Sequence, residues 1–412
     1  MNLLNRLILL LVIGIFAHST VDAQLSPNDF LLTAFEDPSL IEYQKKFNYL
    51  QKKNYRLPLG DELEFRYGNN EQTLEEARYQ VRIRPTNPWK IRRTNALYNA
   101  QKEAISLRES IEFKEALFER YSLMIQYFIA QKQTKLSNAT LTLAENKIQL
   151  FEKSIESELF NAQNYVDAKL DMIEMLERYD NHKLIEDEFI QNITFILATD
   201  NINWSDFNLI SSVEIKNVMN EILLSSFSNS ELTYLMKEFE IAKLETLVEK
   251  ADFDIGFFQA EYAPFKNNGD NEFGISFGIT VPIFKNNKDQ IADRILNEIE
   301  WYSDLNAESY KDSLGKTISL NMLSSYLNHH NILLAEMEKI NLKELSDKLA
   351  SSENFDPFVI LKMEEGKLKL EQLILSSTKR LLEYYLDFLY SHDVLQQMPL
   401  KNYLSNDLIS IE

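Results

Sequence analysis

The chain has 412 residues, no cysteine, 43 basic against 63 acidic side chains, and only 9 glycines and 9 prolines. Average usage would give roughly 50 Gly and Pro together at this length, and none of either occurs in the 167 residues from 89 to 255. A doubly wound sheet or a barrel enzyme, which needs those residues at its turns, is nearly excluded, and a net charge of −20 disfavours nucleic acid, whose phosphates need a basic stripe.

Residues 1–23 read as a secretory signal. Arg6 gives a positive start, 7–17 is apolar, and Val21-Asp22-Ala23 offers small residues before Gln24. Eleven apolar residues are too few to span a bilayer. With no cysteine after the cut, a lipid anchor is impossible and stability must come from packing or assembly.

The first repeat is predicted over 24–227. Its hairpin, 61–84, alternates Leu63, Phe65 and Tyr67 with Glu62, Glu64 and Arg66; after a turn near Asn69-Asn70, Tyr79, Val81 and Ile83 alternate with Gln80, Arg82 and Arg84. A helix is then expected over about 89–132, a turn near 134–138, and a return helix to about 178. Residues 184–226 form a less periodic connecting segment, with a helix start at Trp204-Ser205-Asp206.

The second repeat, 228–412, has its hairpin over 253–282. Phe253, Ile255 and Phe257 set the phase of its first strand, Phe258 breaks it, and Asn267-Asn268-Gly269-Asp270 makes the turn. Phe273, Ile275, Phe277, Ile279 and Val281 alternate with Gly274, Ser276, Gly278 and Thr280. A helix over about 286–350 would be ~98 Å long at ~1.5 Å per residue. The chain is expected to turn at 351–356 and return through 358–390. Such lengths without internal caps suggest coiled coils.

The two halves look like copies. At an offset of 192, Phe35, Leu40, Phe47, Leu63 and Phe65 fall on Phe227, Leu232, Phe239, Ile255 and Phe257, and the offset then drifts to 194 or 195. The fold class is therefore mainly α with a small β part: a two-fold repeat of long antiparallel helical hairpins plus two β-hairpins. The strands approach the 9–11 residues that a tilted strand needs to cross a bilayer. Their apolar faces would either pack on a soluble core or face lipid around a wet interior. Four strands cannot close a barrel alone, so a membrane reading requires several chains to share one.

No Gly-rich phosphate loop, nucleophile elbow or zinc motif is present. His329 and His330 are neighbours pointing about 100° apart on a helix, a poor metal pair, and Met172 and Met175 read as core. The expectation is a protein without enzymatic activity, catalytic residues, metal or cofactor. Glu62, Glu64, Arg66, Arg82 and Arg84 are the candidate functional residues, either lining a pore and tuning ion passage or pairing across strands to steady the sheet.

Together these features resemble the TolC-like outer-membrane efflux proteins. The residues that carry the likeness are Phe35-Glu36-Asp37-Pro38-Ser39-Leu40, the alternating strand Ile275-Ser276-Phe277-Gly278-Ile279-Thr280-Val281-Pro282-Ile283-Phe284, and the segment from 355 to 365. The resemblance implies a homotrimer with a 12-stranded β-barrel in the outer membrane and a 12-helix periplasmic α-barrel. It also implies the duct of a tripartite efflux or type I secretion system, partnered by a periplasmic adaptor and an inner-membrane transporter. The adaptor would dock at the helical turns, near Ser137, Asn138, Glu353, Asn354 and Asp356. Val359-Ile360-Leu361-Lys362 stands where the family often has two aspartates, so an acidic ring at the tunnel mouth is not carried over. The rival reading is a soluble periplasmic coiled-coil scaffold that binds a partner protein through its hairpins.

Overall fold

The computed structural model describes residues 25–52, 56–69, 77–155, 160–199, 202, 204, 207–225, 227–266, 270–280, 287–340 and 357–411. In chain order the elements are α1 (Pro27–Leu32), α2 (Pro38–Lys52), β1 (Gly60–Asn69), β2 (Ala77–Pro85), α3 (Pro88–Lys153), α4 (Ala162–Leu197), α5 (Ser212–Leu224), α6 (Ser230–Lys250), β3 (Gly256–Lys266), β4 (Asp270–Ile279), α7 (Lys288–Lys339) and α8 (Pro357–Ser391). They form two compact units, each taking segments from both sequence repeats. Among the described residues, one is drawn from 38–112 and 228–314, the other from 25–37, 113–227 and 315–411. Among the described residues no helix is long and apolar enough to cross a membrane.

The first, the sheet unit, holds α2, the strands, α6 and the adjoining parts of α3 and α7. Its four strands pair antiparallel in the order β1-β2-β3-β4, so the two predicted hairpins join through β2 and β3. Helix α3 starts where Asn87, its side-chain oxygen accepting from Trp89 N at 3.0 Å, donates through Nδ2 to Ala251 O at 2.8 Å. Asn287, just before α7, donates in the same way to Glu249 O at 2.9 Å. Two asparagines thus tie the starts of α3 and α7 to the C-terminus of α6, adding a second donor to carbonyls that also accept from Phe253 N and Asp252 N. Ala100, Ala104 and Ile241 form the small core between α3 and α6.

The second, the helical unit, is built on aromatic packing. Trp204 lies 5.5 Å from Phe30, 5.4 Å edge-on from Tyr127 and 5.8 Å from Phe128, centroid to centroid, while Phe128 stacks on Phe207 at 4.8 Å. The indole donates to Leu25 O at 2.9 Å, so the ring is buried without an orphaned N–H. The tail after α8 is tied in by buried polar groups. Tyr121 OH donates to Lys401 O at 2.7 Å and accepts from Tyr403 N at 3.2 Å, and Asn402 donates to Asn28 at 2.7 Å. Lys114 meets Asp393 at 3.0 Å in the interior.

Several sequence-based expectations need correction. The first concerns the turn at 134–138: Ser137 and Asn138 lie inside α3, which runs unbroken for 66 residues. The polar run there suggested a reversal. Instead Thr134, Thr140 and Thr142 return their hydroxyls to the carbonyls of Ala130, Leu136 and Asn138 within the same helix, and Ser137 Oγ meets His182 Nδ1 of α4 at 2.5 Å. The chain leaves α3 at Lys153 and re-enters helix at Ala162, where Asn161 caps the backbone N–H groups of Gln163 and Asn164 at 2.9 and 3.1 Å. The second concerns the return helix, which ends at Leu197 rather than near 178. The helix expected from Trp204 starts instead at Ser212, capped by Ser211. The third, the phase of β3, follows with the sheet's two faces. The signal segment, the turn at 351–356 and residues 281–286 lie outside the described residues.

Candidate functional site: the two faces of the sheet

Register fixes which side chains share a face. Leu63 pairs with Ile83, Phe65 with Val81 and Tyr67 with Tyr79; Tyr79, Val81 and Ile83 pair in turn with Tyr262, Ala260 and Phe258. These then pair with Phe273, Ile275 and Phe277. One face of all four strands is therefore apolar, and except for Ala260 every one of these side chains is exposed. Among the described residues no helix of the sheet unit covers that face.

Phe258 belongs to this apolar face, and Phe257, expected to set its phase, points the other way. The Phe257 ring sits over Gly278, where an added Cβ would lie 2.4 Å from it. The Arg82 guanidinium lies 4.2 Å over the same ring. The repeat offset thus reaches 195 before β3, which sets Leu63, Phe65 and Tyr67 over Phe258, Ala260 and Tyr262. An offset of 194 relates β2 to β4. Gly256, at φ +124°, begins β3 so close to β4 that a Cβ would stand 1.9 Å from Gly278 O.

The opposite face gathers Glu62, Glu64, Arg66, Arg82 and Arg84, as the alternation predicts. Glu62 pairs with Arg84 at 3.2 Å across strands, and Glu64 pairs with Arg66 at 2.6 Å along its own strand. Arg82, only 16% exposed, lies 3.9 Å from Glu64 and donates twice to Gln259 Oε1, at 2.9 and 2.7 Å. The sequence reading missed Arg78, Gln80, Gln259 and Glu261. Gln80 donates to Glu261 at 3.1 Å and Arg78 pairs with it at 3.9 Å. The odd-numbered positions of β3 would have revealed the last two had its phase been right. Carboxylates and guanidinia alternate across β1, β2 and β3, while β4 contributes Gly274, Ser276 and Gly278. Arg82 acts as a cross-strand tie, whereas Glu62, Arg66 and Arg84 remain accessible.

Of the residues expected at the helical turns, Glu353, Asn354 and Asp356 lie outside the described residues. Ser137 and Asn138 lie well before the turn that follows Lys153. Beside that turn, α3, α4 and α8 enclose a groove of about 610 Å³. Phe151 and Phe358, 4.6 Å apart, form part of its apolar floor. Its rim carries Lys147 and Asp171, 3.8 Å apart, with Lys362 and Glu365. Glu365 is held below the usual carboxylate range by its bond to Lys369. Among the described residues no group of three or more His, Asp or Glu could hold a metal ion.

No family model and no curated protein matches the sequence. Solved structures do match the fold. The outer-membrane channel OprN superposes with a TM-score of 0.67 at 11% identity, over 90% of this chain and 91% of that one. The open state of the MtrE outer membrane channel of Neisseria gonorrhoeae gives 0.64 at 12%, over 93% and 90%. The outer membrane protein VceC of Vibrio cholerae gives 0.64 at 12%, over 89% and 95%. At such identities the likeness is one of fold, extending over nearly the whole of each chain.

Proposed function

We propose that this chain is one third of an outer-membrane export duct, three copies closing a 12-stranded barrel that continues into a periplasmic tunnel of helices. The observation that carries the reading is the sheet. Its apolar face is exposed over four strands of 9–11 residues, and β1 and β4 are each paired on one side only among the described residues. In water such a face and two open edges invite aggregation. In a closed barrel the edges pair with neighbouring copies and the face meets lipid, leaving the charged ladder around a wet bore.

The fold shared with OprN, MtrE and VceC supports the same reading, as does the predicted signal segment. Glu62, Arg66 and Arg84 would line the bore, while Arg82 holds its wall. The tip offered to a periplasmic adaptor is then the turn after Lys153 with its flanking groove, in place of Ser137 and Asn138. The chain would pass solutes or proteins delivered by an inner-membrane transporter and perform no chemistry on them. Purified protein added to a planar lipid bilayer should give steady ohmic conductance. Protein that binds the bilayer without conducting would contradict the duct.

A further inference from the structure

Where β1 begins and β2 ends, the two chain segments are tied together. Thr86 N donates to Leu59 O at 2.9 Å, and Thr86 Oγ1 donates to Pro58 O at 2.7 Å. Just beyond the strands two large apolar side chains stand in the open, Leu59 at 83% exposure and Trp89 at 61%. Trp89 opens the first turn of α3 within the run Trp89-Lys90-Ile91-Arg92-Arg93, three of whose five residues are basic in a chain of net charge −20. Lys90 is engaged by Asp252 at 2.6 Å, and Arg93 donates to Leu247 O at 2.7 Å; both fix this turn to the end of α6. Arg92 is exposed and makes no ion pair among the described residues. Three residues after Trp89 on the helix, it shares that residue's outer face.

At the far end of the strands the apolar face finishes in an aromatic row. Tyr67 and Tyr79 lie 5.3 Å apart, and Tyr262 is paired beside Tyr79. Leu59 precedes Tyr67 by eight residues. At ~3.4 Å per residue and a tilt of about 40° this is a height of roughly 20 Å, near the ~25 Å apolar band of an outer-membrane barrel. Leu59 and Trp89 therefore fall at the helix-side boundary of that band, where an amphipathic indole and a cation are favoured. In sequence, the second repeat places Ile283-Phe284-Lys285 after its own hairpin, a parallel apolar–aromatic–basic run.

We propose that Leu59, Trp89 and Arg92 form a site for an anionic phospholipid of the periplasm-facing leaflet. Arg92 takes the lipid phosphate, and Trp89 and Leu59 seat the glycerol and upper acyl region. Charge complementarity selects this occupant. A chain with so acidic a balance is repelled by an anionic leaflet except where it offers cations, and it does so beside its exposed interfacial tryptophan. The proposal rests on the sheet lying in the membrane.

The test uses the full-length protein extracted in mild detergent, titrated with phosphatidylglycerol or with phosphatidylcholine and read by native mass spectrometry. The wild type should retain phosphatidylglycerol adducts preferentially. Arg92→Gln should lower that retention about fivefold, the equivalent of ~1 kcal/mol for one basic side chain at an anionic surface. The same change at the exposed Arg380 should leave retention unaltered. In vesicles of brominated phosphatidylglycerol, the emission lost in Trp89→Phe relative to wild type should be quenched most by bromine placed near the headgroup. Equal retention by wild type and Arg92→Gln would overturn the site, as would equal losses at Arg92 and Arg380. Displacement of the lipid by millimolar inorganic phosphate would overturn the assignment to lipid. Wild-type protein recovered without detergent would instead sink the membrane reading itself, a failure separable from the others.

Discussion

Trp204, Phe30 and Phe388 are almost fully buried in the helical unit, whereas Phe65, Ile275 and Phe277, of the same apolar character, stand 73%, 76% and 72% exposed on the sheet. In the first region each of these rings is buried within the chain, and polar groups that follow them inside, the indole N–H and Tyr121 OH among them, are bonded. In the second the polar groups are segregated onto the other face and paired there, and among the described residues the apolar face stays exposed. On the proposed reading the contrast corresponds to two solvents for one chain, water around the helical unit and, against the sheet, something as apolar as its own surface.

The comparison breaks most sharply in the buried region. Trp204→Ala should cost about 3–5 kcal/mol of stability, read as a large fall in the thermal midpoint of helical circular dichroism. Phe277→Arg sharpens it from the other side. It should leave helical content intact, yet cost about 2–4 kcal/mol per chain at the bilayer midplane, seen as loss of the protein from the outer-membrane fraction. If Phe277→Arg instead unfolds the helices, the apolar face packs on protein.

Two smaller changes probe the joints. Tyr121→Phe removes the hydroxyl shared by Lys401 O and Tyr403 N, and two buried backbone groups without partners should cost about 1–3 kcal/mol. Faster proteolysis of the tail after α8 would report it. Gly256→Ala forces a side chain into φ +124° and against Gly278 O, and should cost a further ~1–3 kcal/mol, read as reduced assembly with the helical unit unaffected.

The smallest effect is a pH dependence. Burial, aided by His329, lowers the pKa of His330, whose Nδ1 lies 3.1 Å from Ser377 Oγ. The unfolded chain therefore takes up this proton first. The stability that neutral His330 contributes is complete above the ordinary histidine range and is lost as pH falls below about 6.5. His182, lowered by burial and then by Arg178, acts in the same direction. His330→Asn should remove part of the acid-induced fall in thermal midpoint and leave the rest; an unchanged slope would contradict the assignment.

Much of the sheet was legible because period two survives wherever one face differs from the other, as in Leu63 to Tyr67 and Phe273 to Ile279. β3 defeated that reading because Phe257 is aromatic for a different purpose, to pack on Gly278 and carry Arg82, so its phase emerges only from the partner strand. The missed partners of the charged ladder, Gln259 and Glu261, followed from the same error. The length of α3 was obscured by Thr134, Ser137 and Asn138. Polar residues of this kind mark turns when their side chains compete with the backbone, but here the threonine hydroxyls bond back within the helix and Ser137 meets His182. The aromatic core was invisible for another reason. Phe30, Phe128 and Trp204 meet only through packing between segments separated by more than seventy residues, which no local period records.

The central claim, that four strands per chain complete a shared barrel in lipid, is tested most directly by the mass of the native particle. Membranes should be fractionated, the outer-membrane fraction extracted in detergent, and the protein component weighed by light scattering. The account predicts a trimer, found in that fraction and released only by detergent. A monomer or dimer recovered without detergent would contradict it, and the apolar face of the sheet would then have to be a surface for another protein.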